Sequence, residues 1–533
     1  MSYVLAYDVG TTGVKTCLFG IDREITLLAS AQAGYGLYLL EGGGAEQDPE
    51  EWWSAMCRTT RAVFAGCAAA PEEVAALSFC SQMQGLVLVD GHGAPVRRAM
   101  SYMDQRAAAE LKRGLAHGPQ VAGANVVKLL RCLRATGAVP SSVKDPVWKY
   151  KWVQAHEPEV FARADKWLDV KEYLLLRCTG QAVMTEDSAY ATLLFDIRKG
   201  REGWSGELCA LFGVKRNHLP PVIRSTDRVG GGLMEGAAAE LGLRPGTPVF
   251  GGGGDASLIG VGAGASAVGS THVYCGTSGW VSTVTDRQLV DVSAMIAAIV
   301  GAQRGRYNYF AEMETAGKCL EWVRDHLALD EIGIYLEKRN VAESPEAVYA
   351  SLYDYLTETV EGCPPGAGGV IFTPWLHGNR CPFEDPAAAG MFFNLRLDTG
   401  KTEMIRAVLE GICFHLRWML ECQAKRVHTS PVIRFAGGGA LSPVTGQILA
   451  DVTGRTVEVA ASPQNAGAVG AAAVMGVGLG IIPSLDEVGS FLPVERTYRP
   501  NAANRAVYDR SYAVFRRLHA ANKDLFRRLN GGR

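Results

Sequence analysis

The same strand–turn–strand pattern occurs twice in this sequence, once at its start and once just past its middle. The first copy spans residues 3–22 and the second spans residues 272–285. In each copy two apolar runs flank a short turn, which reads Gly-Thr-Thr-Gly in the first and Gly-Thr-Ser-Gly in the second. Glycine permits positive φ, so the backbone N–H groups of such a turn can converge on one ligand. Two hairpins of this kind predict two similar domains that face one nucleotide.

Only the first hairpin carries an acid. Asp8 ends its first apolar run, whereas Tyr274 stands at the matching position of the second hairpin. A carboxylate at that point can hold Mg²⁺ through water, and the neighbouring hydroxyls can donate to phosphate oxygens. Because short motifs also match by chance, an ordinary hairpin with a polar tip remains an alternative at this point.

Length and charge narrow the class of protein. A chain of 533 residues is too long for a single core, and we place the domain boundary so that residues 1–246 and 247–533 form the two parts. With 53 basic and 55 acidic residues, there is no basic field to predict nucleic acid or a membrane surface as a partner. The 13 cysteines form no CxxC pair, and we see no signal peptide or membrane span, so we expect a cytoplasmic protein.

Polar side chains follow a predicted buried strand at residues 74–80. They belong to the segment Ser-Gln-Met-Gln-Gly, in which Gln82 and Gln84 are candidates for substrate binding. Ligand sites in α/β folds lie at such strand ends, although a plain polar turn is the alternative. Further along, Tyr102, Asp104 and Arg106 offer a ring, an acid and a guanidinium together. By themselves, Asp104 and Arg106 are more typical of a helix cap and a structural ion pair.

Asp255 lies behind four glycines at a predicted strand-to-helix junction. Residues 247–250 are expected to form the strand, and an apolar helix of small residues follows the acid. Glycines there let a ligand approach the backbone closely, so the carboxylate can take the proton from a substrate hydroxyl. Capping of the following helix is the other interpretation, and the two are compatible.

Two further segments carry recognisable patterns. Residues 146–156 form an aromatic and basic helix, for which we expect core aromatics and solvated lysines. The triple glycine at 437–439 follows a predicted strand and precedes a helix that Ser442 can cap. A flat ring or a phosphate can lie on such a backbone, and a dinucleotide site is the weaker interpretation because the pattern is not GxGxxG.

These segments, in this order, resemble the FGGY family of carbohydrate kinases, and its xylulokinase branch most. Residues 146–152 (PVWKYKW) are similar to the first family signature, and residues 390–410 to the second, with Asn394 where a glycine is usual. The resemblance covers essentially the whole chain. It implies an α/β fold of two ribonuclease H-like domains of the actin/hexokinase ATPase type, with ATP and sugar bound in the cleft between them.

The resemblance also implies an activity, which is ATP- and Mg²⁺-dependent phosphorylation of a terminal hydroxyl of a small sugar. A ketopentose such as D-xylulose is the expected substrate, with another ketose, a polyol or a sugar acid as alternatives. Dimers are frequent in the family. Residue by residue, the implied catalytic base is Asp255 and the implied metal residue is Asp8. The implied sugar-binding residues are Gln82, Met83, Gln84, Tyr102, Asp104 and Asp255. The implied ATP-binding residues are Gly10, Thr11, Thr12, Gly13, Lys15, Gly276, Thr277, Ser278, Gly317, Gly438, Gly439 and Ser442.

The sequence departs from the family pattern at two positions of the implied sugar pocket. Gln84 replaces a usual histidine, and Ala256 follows the acid where asparagine or glutamine is usual. Exchange of a buried hydrogen-bonding group can alter selectivity by orders of magnitude, so these two departures bear on which sugar is accepted and not on the ATP site. Three other classes are weaker: an actin-like structural ATPase, a sugar sensor without turnover, and a dinucleotide-dependent oxidoreductase.

Overall fold

The computed structural model describes residues 1–116, 120–121, 124–327, 355–356 and 358–531. Two mixed sheets dominate it, one in each half of the chain. Within these described ranges, no helix is long and apolar enough to cross a membrane.

The first sheet is built around the first hairpin. Strand Ser2–Val9 pairs antiparallel with Gly13–Ile21 and parallel with Val74–Ser81. Across the sheet, the five strands lie in the order Gly253–Gly254, Val74–Ser81, Ser2–Val9, Gly13–Ile21 and Ile25–Gly34. The predicted hairpin at residues 3–22 is therefore confirmed, and it lies at the centre of its sheet.

The second sheet repeats this arrangement around the second hairpin. Strand Thr271–Cys275 pairs antiparallel with Gly279–Thr285 and parallel with Val432–Ala436. Its eight strands lie in the order Val290–Asp291, Ile296–Val300, Tyr307–Met313, Gly279–Thr285, Thr271–Cys275, Val432–Ala436, Thr456–Ala460 and Val494–Tyr498. Without the edge strands Val290–Asp291, Ile296–Val300 and Val494–Tyr498, the other five strands of this sheet, numbered among themselves in chain order, lie in the order 3-2-1-4-5. The five strands of the first sheet, numbered in the same way, lie in the same order. The sequence repeat is thus a repeat of topology, and the prediction of two similar domains is confirmed.

The region around the predicted domain boundary differs from the expectation. Residues 247–250 were expected to form a strand, but there only Val249 and Phe250 make isolated bridges, to Leu77 and Arg228. The strand is Gly253–Gly254, and it pairs with Val74–Ser81 of the first sheet. The reason is that the glycines let the backbone approach closely, since a Cβ at Gly252 would lie 2.1 Å from the Phe79 carbonyl oxygen. The first sheet therefore extends beyond residue 246.

The remaining elements surround these sheets. The other strands are Tyr38–Leu40, Gly44–Gln47, Val87–Val89, Ala99–Met100, Gln120–Val121, Ala124–Asn125, Lys166–Leu168, Met184–Thr185, Phe195–Asp196, Gly203–Trp204, Val222–Ile223, Ile371–Thr373 and Met391–Phe393. The described α-helices are Pro49–Ala65, Ala108–Leu115, Val126–Thr136, Pro146–His156, Pro158–Arg163, Val170–Thr179, Glu186–Ala191, Gly206–Phe212, Glu235–Leu241, Asp255–Gly262, Gly317–His326, Lys401–Ala424, Pro443–Thr453, Ala466–Gly478 and Arg505–Asn530.

Two glycine-rich helices join the halves of the chain beside the first sheet. Helix Ala466–Gly478 packs against helix Asp255–Gly262 and against the first sheet. The contact is close, because a Cβ at Gly262 would lie 1.8 Å from the Ala466 carbonyl oxygen and one at Gly470 would lie 2.3 Å from that of Leu258. Small residues are therefore required here, and this packing brings the start of each helix to the first hairpin.

Candidate active site

The turn of the first hairpin is held by its surroundings. The Gly10 N–H donates to the Gly13 carbonyl oxygen at 2.9 Å, which closes the turn. The Gln47 amide donates to the Thr11 carbonyl oxygen at 2.6 Å, and the Thr11 hydroxyl lies 3.4 Å from the hydroxyl of Tyr102. Thr12 is exposed at the tip. The turn is therefore ordered and open to a ligand on one side.

Asp8 lies below this turn in an enclosed setting. Burial raises the pKa of its carboxyl group, while Lys15 and the thiol of Cys80 act in the opposite direction. Lys15 in turn donates to Asn465 Oδ1 at 2.9 Å, just before the helix that begins at Ala466. A Cβ at Gly467 would lie 2.7 Å from Asp8 Oδ2. Asp8 thus lies where the two halves of the chain meet.

The carboxylates of Asp8 and Asp255 fit Mg²⁺ better than a transition metal. In the part of the chain that the structure describes, no three His, Cys, Asp or Glu side chains form a metal cluster. Mg²⁺ does not need one, since it is usually held by one or two carboxylates, water and substrate phosphates. The charge of Asp8 is close enough to raise the pKa of Asp255. A divalent cation beside them would relieve this repulsion.

The second turn is braced by the start of a helix. The Gly317 N–H donates to the Gly276 carbonyl oxygen at 2.7 Å. The Thr277 carbonyl oxygen accepts from two N–H groups, those of Ala316 at 3.1 Å and Lys318 at 3.2 Å. The Gly276 N–H donates to the Ser278 carbonyl oxygen at 3.0 Å. The sequence-predicted residues 276–278 and 317 therefore lie together, and the start of helix Gly317–His326 holds the turn in place.

The glycine-rich segment 437–439 lies directly against the second hairpin. Gly437 has φ of 89°. A Cβ on it would lie 2.5 Å from the Cys275 carbonyl oxygen, and one on Gly439 would lie 2.8 Å from the Cys275 side chain. Gly438 and Gly439 are buried, and Ser442 caps helix Pro443–Thr453 by accepting from the Thr445 N–H at 3.2 Å. The capping prediction for Ser442 is confirmed.

Asp255 is the first residue of helix Asp255–Gly262. Its Oδ1 atom accepts from the Ala256 N–H at 2.7 Å, so the acid does contribute to the helix start. Burial raises the pKa of its carboxyl group to about 7, and the charges of Asp8, Glu312 and Asp187 act in the same direction. A carboxylate with a pKa near 7 is well matched to accepting a proton at neutral pH. The N-cap of this helix is Gly254, so the interpretation of Asp255 as the capping residue is wrong, whereas its role as the base stays a prediction.

Residues 82–85, here called the substrate loop, lie beside Asp255. The Gln82 amide donates to Gln47 Oε1 at 2.9 Å. Gln82 Oε1 is buried and has no hydrogen-bond partner among the described residues, which leaves an acceptor for a ligand hydroxyl or a water. Met83 packs against Gly254, where a Cβ would lie 2.1 Å from its sulfur. Gln84 has φ of 64°, a left-handed conformation that is uncommon for a residue with a side chain.

Tyr102 and Asp104 lie in different surroundings. The charges of Asp255, Glu312 and Glu314 reach Tyr102, although burial contributes most to raising the pKa of its hydroxyl. Asp104 is fully buried, and its oxygens accept from the Ala45 N–H at 2.9 Å and from Arg106. The ion pair expected from the sequence is confirmed. A contact between Asp104 and a sugar stays a prediction, because its carboxylate already has these partners.

Sequence reasoning missed two buried charges next to the site. Lys149 was expected to be solvated, which is wrong: its side chain is fully buried, and Nζ donates to the Gln84 carbonyl oxygen at 2.7 Å. The position of this lysine between Trp148 and Tyr150 was an available signal that it faces the interior. Asp187, which accepts from the Gly254 N–H at 2.8 Å, had no such signal, because its partner is 67 residues away.

Comparison with known proteins matches this architecture domain by domain. The model of the N-terminal domain of the FGGY family of carbohydrate kinases matches residues 3–262, and that of the C-terminal domain matches residues 272–479. The chain belongs to the FGGY family of carbohydrate kinases. It is therefore a phosphotransferase that acts on an alcohol group of a small sugar, and its two domains are of the ribonuclease H-like, actin/hexokinase type. FGGY kinases use ATP as phosphate donor, generally with Mg²⁺.

Three similar proteins span nearly all of this FGGY kinase. The xylulose kinase of Escherichia coli (strain K12) is 29% identical over 524 residues, which are 97% of this chain and 98% of that protein. The gluconokinase of Bacillus subtilis (strain 168) is 29% identical over 507 residues, 93% and 91% of the two chains. The structure of ligand-bound xylulose kinase from Lactobacillus acidophilus is 25% identical, with a TM-score of 0.81 over 98% and 99% of the chains.

Proposed function

We propose that this FGGY kinase transfers the γ-phosphoryl group of ATP to a terminal hydroxyl of a ketopentose such as D-xylulose. The observation that carries the proposal is Asp255, a half-buried acid with a pKa near 7, at the end of a glycine strand and beside the substrate loop. The xylulose kinases among its relatives support the choice of sugar.

Asp255 would act on the attacking hydroxyl. Phosphoryl transfer passes through a loose transition state, which requires alignment and charge neutralisation more than covalent help. Held by its bond to the Ala256 N–H, the Asp255 carboxylate would orient the sugar hydroxyl and accept its proton. The raised pKa makes the group a stronger base than an ordinary aspartate, so the proton transfer is easier near neutral pH.

The two hairpins and the glycine-rich segment would hold the nucleotide. The turns at 10–13 and 276–279 would present N–H groups and hydroxyls to the phosphates, and the backbone at 437–439 would accept the adenosine. When bound near Asp8, Mg²⁺ would neutralise charge on the phosphates. Closing of the two domains would exclude water, which otherwise competes with the sugar for the phosphoryl group.

A sugar acid is the second candidate, because a gluconokinase is as similar to this chain as a xylulose kinase is. The negative charges around Asp255, the proposed base, disfavour a sugar acid as the substrate. Asp8, Glu312 and Asp187 all act on Asp255, and Glu314 reaches the neighbouring Tyr102. Arg380, a cation beside Glu312, already donates to it at 2.8 Å. A carboxylate substrate would add a further negative charge, so we place an uncharged ketose first.

The proposal is tested by ADP release from ATP and Mg²⁺ with a panel of sugars. The panel contains D-xylulose, D-ribulose, D-fructose, glycerol and D-gluconate, with a reaction lacking sugar as control. We expect D-xylulose to stimulate ADP release and D-gluconate to be the poorer substrate in kcat/KM. Release that no sugar stimulates would overturn the proposal, and a preference for D-gluconate would move the assignment to sugar acids.

A further inference from the structure

The peptide unit between Gln84 and Gly85 is held at both ends by buried charges. Lys149 Nζ donates to the Gln84 carbonyl oxygen at 2.7 Å, and the Gly85 N–H donates to Asp169 Oδ1 at 2.8 Å. These two atoms belong to one planar peptide group, whose rotation would break both bonds. The cation faces the carbonyl oxygen and the anion faces the N–H, which matches the direction of the peptide dipole. A flipped peptide would instead direct its oxygen at the carboxylate.

Holding this peptide matters because Gln84 is in the left-handed region, with φ of 64°. Residues with a Cβ avoid this region, and glutamine is not among the residues that tolerate it best. A glutamine loop would relax to another conformation unless its surroundings prevented it. The structure provides the restraint from a different element, since Lys149 lies on helix Pro146–His156, 65 residues along the chain.

The burial of Lys149 is unfavourable in free energy, which suggests that this lysine has a specific role. The side chain is fully buried. Burial lowers the pKa of its amino group to about 8, against the attraction of Asp169, Asp104 and Asp145, with Lys144 opposing them. A buried ammonium group is rarely the most stable choice for packing, because its desolvation is unfavourable. The restraint on the substrate loop is a function that an apolar side chain at this position would not supply.

We propose that Lys149, opposed by Asp169, is a positioning residue that sets sugar selectivity through Gln84. By fixing the Gln84–Gly85 peptide, the pair determines where the Gln84 amide meets the sugar hydroxyls. Gln84 is one of the two positions of the implied sugar pocket at which this chain departs from the family pattern, so its orientation bears directly on which sugar is accepted. The inference rests on the proposed function, because Gln84 can select a sugar only in an enzyme that phosphorylates one.

A double-mutant cycle separates this role from general support of the fold. The four proteins are wild type, Lys149→Met, Gln84→Ala and the double variant. Lys149→Met removes the charge and the donor, and we expect kcat/KM for the preferred sugar to fall about tenfold, which corresponds to about 1.4 kcal/mol. The KM for ATP should stay within about twofold. Because Lys149 acts through Gln84, the double variant should match Gln84→Ala within about twofold in kcat/KM for that sugar.

Lys151→Met is the matched control, because it removes a lysine from the same helix. Lys151 donates to Gln154 and lies 3.5 Å from the Gly213 carbonyl oxygen, away from the substrate loop. The Lys151→Met variant should therefore have the same kcat/KM for the preferred sugar as wild type. Lys149→Arg, which keeps charge and donors, should restore most of the selectivity that Lys149→Met loses.

Several results would overturn the inference. Effects that multiply in the double variant would show that Lys149 does not act through Gln84, as would a parallel rise in the KM for ATP. If Lys149→Met does not fold, the same cycle with Lys149→Gln is read in the same way. Calorimetric titration with sugar accompanies each assay. A wild type with neither sugar-dependent ADP release nor sugar binding overturns the proposed function and this inference together, whereas an active wild type with multiplying effects overturns this inference alone.

Discussion

The carboxylate of Asp187 accepts a hydrogen bond from the backbone N–H of Gly254, with 2.8 Å between Oδ2 and N. Gly254 directly precedes Asp255, so this bond fixes the backbone from which the proposed base projects. The other oxygen of Asp187 accepts from Thr185 and from the Ser188 N–H. Lys171 Nζ donates to the hydroxyls of Thr185 and Ser188 at 2.6 and 2.8 Å. A buried polar network therefore supports the start of the helix that carries Asp255.

We predict that Asp187→Ala lowers kcat for the sugar by up to about 100-fold, because a displacement of Asp255 by about an ångström is enough for such a loss. The KM for ATP should change little. Asp187→Asn keeps an oxygen that can accept from the Gly254 N–H, and it should retain most of the activity. Wild-type kcat in the alanine variant would show that the contact does not position the base.

We predict that Asp255→Asn stabilises the folded protein at pH 8. Burial raises the pKa of Asp255 from 3.8 to about 7, so between these values the folded state binds more protons than the unfolded state. Ionisation then lowers stability as the pH rises through that window, and removal of the charge cancels the loss. The difference in melting temperature, variant minus wild type, should therefore be a few degrees larger at pH 8 than at pH 5.

Asp90→Asn is the control for this measurement, because Asp90 lies in a turn where the N–H groups of Ala94 and His92 hold its pKa below the ordinary value. That variant should show no stabilisation at high pH. An Asp255→Asn protein whose melting temperature differs from wild type equally at both pH values would mean that the carboxyl group does not carry the raised pKa.

We predict that Gly467→Ala impairs activity by displacing Asp8. A Cβ at Gly467 would lie 2.7 Å from Asp8 Oδ2 and 2.8 Å from the Cys80 sulfur, closer than such atoms approach without movement. The dependence of the rate on Mg²⁺ should shift to higher concentrations. Gly236 is the matched control: it too is the second residue of its helix, and a Cβ there meets nothing within 4 Å. An unchanged Mg²⁺ dependence in Gly467→Ala would argue against a metal-linked role for Asp8.

We predict that Gln84→His combined with Ala256→Asn raises kcat/KM for D-xylulose relative to the other sugars. The two substitutions restore the usual family residues in the implied sugar pocket. Histidine can gain a charge near neutral pH, whereas glutamine cannot titrate, and asparagine adds an amide beside Asp255. Wild type and double variant are compared on the same panel. If the ranking of sugars is unchanged, these positions do not determine selectivity.

The sequence predicts those parts of the fold that depend on local patterns. Each hairpin is recognisable because its apolar runs and glycine turn are contiguous. Likewise, Asp48 caps helix Pro49–Ala65 by accepting from the Glu50 N–H at 3.0 Å, in the manner that the Asp-Pro pair indicates. Strand Gly253–Gly254 could not be predicted in this way, because two glycines carry no side-chain pattern, and only its partner at residues 80–81 makes it a strand.

The residues of the candidate site also differ in whether a local sequence pattern reveals them. Asp8 and Asp255 are conspicuous in sequence because each is an acid beside a glycine-rich stretch. Lys149 and Asp187 are not, since their roles come from partners 65 and 67 residues away that only the folded chain brings to them. A rule that assigns lysines to solvent fails where several carboxylates compensate the burial of one ammonium group.

The central claim is that Asp255 is the base in phosphoryl transfer from ATP to a sugar, and the direct measurement is sugar-dependent ADP release by wild type and Asp255→Asn. Both proteins are assayed with saturating ATP and Mg²⁺, and ATP binding is measured alongside. We predict that the variant loses about 10² to 10⁴ in rate, the range expected for loss of a general base, while its Kd for ATP stays within a few-fold. Near-wild-type turnover in a folded Asp255→Asn protein would contradict the claim and leave Asp255 only as a residue that starts its helix.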